Sequence, residues 1–210
     1  MCKTFGQVAI GMANDQGIQI IHGGLVAKNG KGVLLVGQSG SGKSTSSLAC
    51  LCGGFIFLGE DYIGLEITEE GSVIGHSLYN SVFLERAHMN RFEELTPYVI
   101  AGQHSKERKA TVILSEAFSQ QLSRSVLIRA LALARINKQS RQSDIQFASK
   151  GKALLALGPS CLFQIPSRGQ RSFPKLAQLA SLVPSYHLEL GSDLTTIPHA
   201  VQNIFSELDK

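Results

Sequence analysis

Eight residues constrain this chain more than any others: Gly37-Gln38-Ser39-Gly40-Ser41-Gly42-Lys43-Ser44, which fit the pattern G-x-x-x-x-G-K-[ST]. Glycines there let the backbone curl, so that successive N–H groups converge on phosphate oxygens. A helix starting near Gly42 adds the positive end of its dipole. Lys43 can reach the outer phosphates, and the Ser44 hydroxyl can ligate Mg2+. The context is the one this motif requires. The apolar run Val33–Val36 leads straight into the loop, and a helical segment runs from Lys43 to Cys52 before stopping at Gly53-Gly54. The pattern predicts a nucleoside triphosphate site.

The flanking sequence reads as αβ. Strands are predicted over Phe5–Gly11 and Ile18–Lys28, separated by the turn Asn14-Asp15-Gln16-Gly17. Val33–Val36 and Phe55–Leu58 read as strands buried on both faces. Tyr62–Ile67, Ala110–Leu114 and Val126–Ile136 look extended, although Ala130–Ala134 suits a helix equally. Asn137–Ser149 is polar and reads as a loop. Helices are expected over Lys150–Leu157 and Phe173–Leu182, a strand over Tyr186–Leu190, and a last helix from Ile197. In that last helix Pro198 sits in the first turn, and Val201, Ile204, Phe205 and Leu208 follow at helical spacing. No repeat or linker divides the chain, so residues 1–210 read as one domain.

Composition narrows the class. Apolar residues make up 43% and charged residues 17%, which excludes a disordered chain. No apolar run is long enough for a membrane span, and the first residues lack the features of a secretory signal. Cys2, Cys50, Cys52 and Cys161 show neither disulfide-framework nor zinc spacing, which suits a reducing cytoplasm. The net charge of +4 is too small to argue for nucleic acid, but it is unevenly spread. Residues 105–175 carry 13 basic and 3 acidic side chains, so this segment is the expected meeting place for an acidic acceptor or the outer phosphates.

Glu60-Asp61 follows the loop by one helix and one strand. Such a site needs a carboxylate at the end of a neighbouring strand, on the metal directly or through water. Two adjacent acids can divide the work, one on the metal and one as base for an acceptor hydroxyl. His22, in Ile21-His22-Gly23-Gly24-Leu25, stands alone in an apolar setting.

Taken together, His22-Gly23, the turn Asn29–Gly32, the strand Val33–Val36, the loop Gly37–Thr45, the helix Ser46–Cys52 and the acidic pair Glu60-Asp61 resemble the catalytic domain of the HPr kinase/phosphorylase family. That family belongs with phosphoenolpyruvate carboxykinase among P-loop proteins. The resemblance implies a mixed central sheet flanked by helices, and transfer of the γ-phosphate of ATP to a protein serine with Mg2+. Gly37, Ser39, Gly40, Ser41, Gly42, Lys43, Ser44 and Thr45 would bind the nucleotide. Ser44 and Asp61 would hold the metal, Glu60 would be the base, and His22 would lie beside the acids. Softer matches to a shorter subgroup, some members linked with modified-peptide biosynthesis, run through Ser77-Leu78-Tyr79-Asn80-Ser81, Ala134-Arg135-Ile136, Gly158–Pro166 and Val183–Gly191. They make Arg135 a candidate for charge stabilisation. The family assembles into hexamers, so the resemblance admits a homo-oligomer.

The sequence departs from the family at several points. Glu60 replaces the first Asp of the usual pair, Phe83 stands where the subgroup often has Lys, and Ala134 where it often has Pro. The receiver-like domain and the downstream glycine-rich signature of full HPr kinases have no counterpart, which argues against HPr as the acceptor. Three functions stay open at this level: a peptide or protein serine kinase, a small-molecule kinase acting on a serine-like acceptor, and a nucleotide-binding regulatory module.

Overall fold

The structure, a computed structural model, describes residues 17–100, 109–162 and 169–210. The strand expected over Phe5–Gly11, most of the turn after it, and Phe163–Pro166 lie outside the described residues.

The apolar runs around the glycine-rich loop form the centre of a nine-stranded sheet. Its first members are β1 (Gln19–His22), β2 (Gly24–Lys28), β3 (Lys31–Val36), β4 (Ile56–Gly59), β5 (Tyr62–Ile67) and β6 (Val73–Ser77). The others are β10 (Ser125–Ile136), β11 (Asp144–Ala148) and β12 (Ser185–Leu190). The order runs β1-β5-β6-β10-β3-β2-β4, with β12 added to β10 and β11 to β12. β3, β10 and β12 are mutually parallel and every other pairing is antiparallel. Register places Val36 beside Leu133 and Ile136 beside Leu190, so the three parallel strands end on one edge. That edge is where an open α/β sheet receives ligands.

Helices cover both faces. α1 (Lys43–Cys52) and α4 (Thr196–Leu208) lie on one, α2 (Lys150–Leu162) and α3 (Gly169–Leu182) on the other. The first core joins Leu48 and Leu51 of α1, Val201 and Ile204 of α4, and Val33 and Leu35 of β3. The second joins Leu34 and Val36 of the same strand to Leu157 of α2 and Leu176 and Leu179 of α3. Alternate β3 residues therefore feed opposite cores, as expected of a strand buried on both faces. A separate three-stranded sheet of β7 (Ser81–Glu85), β8 (Val99–Ile100) and β9 (Lys109–Ile113) packs Val82, Leu84 and Val112 into the first core. Among the described residues no helix is long and apolar enough to cross a membrane.

The architecture is the expected mixed sheet flanked by helices, with local differences. Ile18–Lys28 is two strands, because Gly23 turns its N–H to the carbonyl of Asp61 instead of a continuous ladder. Ala130–Ala134 is strand, held by parallel partners on both sides. The supposed loop Asn137–Ser149 contains β11, an edge strand whose Asp144, Gln146 and Phe147 are exposed, so composition alone reads it as loop. α2 extends past Pro159 and α3 contains Pro174, which propensity would place at helix ends.

Candidate active site

Four chain segments meet at the carboxyl edge of the parallel strands. β3 delivers the glycine-rich loop, and α1 leaves it at Lys43. β4 ends at Gly59 and presents Glu60-Asp61 beside the start of β2, since Leu25 pairs with Gly59. β1 brings His22 opposite Tyr62.

The loop depends on its glycines for space and for conformation. Gly42, the residue before α1, has φ +98°, and a Cβ there would lie 2.5 Å from Leu190 Cδ1. At Gly37, φ +147°, a Cβ would lie 2.7 Å from Ser41 Oγ and 2.9 Å from the Ala134 carbonyl. No side chain caps the start of α1, which follows the loop directly. The Ser41 hydroxyl is buried without a hydrogen-bond partner. An uncapped helix start beside a buried, unpartnered hydroxyl suits an anion rich in acceptors. Ser39 and Gly40 are exposed at the loop tip, while Ser44 and Thr45 are half-buried in the first turn of α1.

Lys43 is buried, and its ammonium donates to the carbonyls of Gly37 and Gln38, each at 2.9 Å. Burial lowers its pKa below the usual lysine value; the charges of Asp61, and after it Glu60, oppose that shift. Lysine and both acids are thus within electrostatic reach of one another.

The two acids differ in their surroundings. Glu60 is buried, and its Oε1 accepts the Phe83 N–H of β7 at 2.9 Å. Asp61 is partly exposed, and its Oδ1 lies 3.0 Å from Nε2 of His22. Its backbone has φ +77°, in the left-handed region. Tyr79, in the connection between β6 and β7, donates its hydroxyl to the Glu60 carbonyl at 2.9 Å. Burial, and next the Asp61 charge, push the Tyr79 pKa up; the same two causes raise that of Tyr62. Tyr79 is therefore a neutral donor across the ordinary pH range.

Arg135 lies on the other flank of the loop. The preceding carbonyl, of Ala134, abuts Gly37, while the exposed guanidinium pairs with Glu189 of β12. The structure brings His22, Asp61 and Lys43 together and leaves Arg135 outside that group. Within the basic segment Arg141 likewise pairs with Asp193 at 3.7 Å, so acids from outside the segment offset part of its charge. Tyr79 and the Phe83 N–H are the contributions that sequence reading did not assign. Both come from a stretch without a legible secondary-structure pattern, to which only the Ser77–Ser81 match and the Phe83 departure pointed.

Among solved structures the chain is similar to the HPr(Ser) kinase/phosphatase from Coxiella burnetii, with a TM-score of 0.52. The match covers 91% of this chain and 99% of that one at 15% identity. The fold is HPr-kinase-like. No protein-family model and no curated protein matches the sequence. At that identity the likeness shows the fold alone.

Among the described residues no three His, Cys, Asp or Glu side chains gather as a metal site. A cation shared between phosphate oxygens and one or two protein donors needs no such cage. The half-buried Ser44 hydroxyl and the partly exposed Asp61 carboxylate, whose charge reaches Lys43, are oxygen donors of the kind such a cation takes.

Proposed function

We propose that this chain is an ATP-dependent kinase that transfers the γ-phosphate to a serine hydroxyl of a peptide or protein. The reading rests on one observation above the rest: a phosphate-binding loop, its lysine and a partly exposed aspartate converge on one sheet edge. The loop amides and Lys43 would hold the phosphates. Mg2+, held by the Ser44 hydroxyl and reached by Asp61 through water, would neutralise developing charge on the transferring group and leave the Asp61 carboxylate its basicity. The acceptor oxygen forms a bond to the γ-phosphorus as the bond to the β–γ bridging oxygen breaks, and the hydroxyl proton passes to a carboxylate.

Between the two acids, we assign that contact to Asp61. Glu60 is buried with one oxygen engaged by Phe83, which suits a carboxylate that anchors β7 to the end of β4. Asp61 is accessible, and His22 beside it would steady its carboxylate. An Asp in this place also restores the shorter side chain on the reacting acid, so Glu60 need not act as base.

The test is incubation of labelled ATP with serine-containing peptides encoded near this chain, read as a mass gain of one phosphate. Asp61→Ala is expected to keep ATP binding while transfer falls at least about a hundredfold, the scale of losing a general base. Undiminished transfer would remove Asp61 from the mechanism. Tight ATP binding with no labelled acceptor would favour the regulatory module instead.

A further inference from the structure

Asp61 is held by an unusual piece of backbone. The Tyr62 N–H donates to the Glu60 carbonyl at 3.1 Å, across a single residue, and that residue has φ +77°. This is the rare, strained kind of γ-turn, with Asp61 at its centre. A strained residue persists only where its surroundings over-determine it.

One side chain bonds both peptide groups of the turn. The Tyr79 hydroxyl donates to the Glu60 carbonyl at 2.9 Å and accepts the Tyr62 N–H at 3.2 Å. The Glu60 carbonyl belongs to the peptide before Asp61, and the Tyr62 N–H to the peptide after it. The rotations of those two planes are φ and ψ of Asp61. From the opposite side Gly23 N–H binds the Asp61 carbonyl at 3.1 Å, and His22 meets its carboxylate.

We infer that Tyr79 is a positioning residue that staples the Asp61 turn and so aims its carboxylate. The inference deepens the kinase reading and rests on it for its kinetic consequence. The geometric part stands independently. Because burial keeps the phenol protonated, the hydroxyl can donate and accept at once.

Tyr79→Phe removes the hydroxyl and keeps the ring. The variant is expected to bind ATP as wild type does, with KM for ATP unchanged and the transfer rate at least tenfold lower. In an Asp61→Asn background the same change should have no further effect on transfer, because both substitutions disable one group. A second reading needs no turnover: the imidazole Nε2–H resonance of His22, followed by two-dimensional NMR, should shift or broaden in Tyr79→Phe as Asp61 leaves its place. In the wild-type protein the Tyr79 hydroxyl proton should be protected from solvent exchange, which tests the staple even if the variant does not fold. An unprotected hydroxyl proton, or a Phe variant with unchanged His22 signal and unchanged rate, overturns the inference. Absence of transfer from the wild-type protein to any acceptor would sink the kinase reading alone, because the NMR measurements would still decide the role of Tyr79.

Discussion

To meet phosphates as proposed, Lys43 must be cationic, yet it sits where burial favours the neutral amine. The consequence is a proton linkage. A triphosphate beside Lys43 stabilises the ammonium, so nucleotide binding raises a pKa that folding has lowered. Between the lowered value and the free lysine value of about 10.4, ATP binding is expected to take up protons, and affinity to fall as pH rises. Calorimetry in two buffers of different ionisation enthalpy measures the uptake directly. Asp61→Asn removes the charge that most opposes the depression, so it should extend the window to lower pH. Lys43→Arg, permanently charged, should abolish the uptake. Equal heats in both buffers throughout the alkaline range would show that Lys43 does not change its proton on binding. The same shift has a stability sign: the unfolded chain binds more protons in this window, so the Lys43 contribution makes folding more favourable as pH rises through it.

At the scale of elements, the loop and the helix it feeds depend on Gly42. Its φ of +98° and the closeness of Leu190 penalise any side chain there. Gly42→Ala is expected to cost about 1–3 kcal/mol in stability through backbone strain and overpacking, and to weaken ATP binding by tilting α1. Adding Leu190→Ala should relieve the clash but leave the strained φ, so ATP affinity would recover only in part. Full recovery, read by titration calorimetry, would leave strain without a role. This loop was legible in the sequence because motif, strand and helix are contiguous; α1 spans Lys43–Cys52 and β5 spans Tyr62–Ile67, the expected ranges. What the sequence hid is non-local. β11 is an edge strand with exposed polar residues, so its pairing with β12 gives no burial pattern to read. The position of the acid pair could be read, but its division of labour could not, because Phe83 reaches Glu60 from 23 residues downstream. Tyr79 lies 17 residues beyond the turn it bonds, in a connection with neither helical nor strand period.

Over the whole molecule, the two faces of the sheet make different demands on the site. Leu84 of β7 and Leu179 of α3 are both buried, in the first and the second core respectively. Truncating either to Ala should cost about 2–5 kcal/mol, since each leaves a cavity of similar chemistry. Their effects on transfer should separate. β7 carries the Phe83 N–H that holds Glu60, so Leu84→Ala loosens the acid pair from behind, whereas Leu176, Leu179 and Ala180 of α3 pack into the second core. At 25 °C, with both variants folded, Leu84→Ala is expected to lower the phosphotransfer rate several-fold and Leu179→Ala to leave it within twofold. Denaturant melts followed by far-ultraviolet circular dichroism and by tyrosine fluorescence test the structural premise. The chain has four Tyr and no Trp, so the second signal comes from tyrosines alone. Because Val82, Leu84 and Val112 share one core with α1 and α4, the two signals should report one transition in the wild-type protein and in both variants. An early, separate tyrosine transition in Leu84→Ala would mean that the small sheet unfolds by itself. Glu60 would then be anchored to a unit that is not part of the main cooperative fold, and the proposed route from core to acid pair would fail.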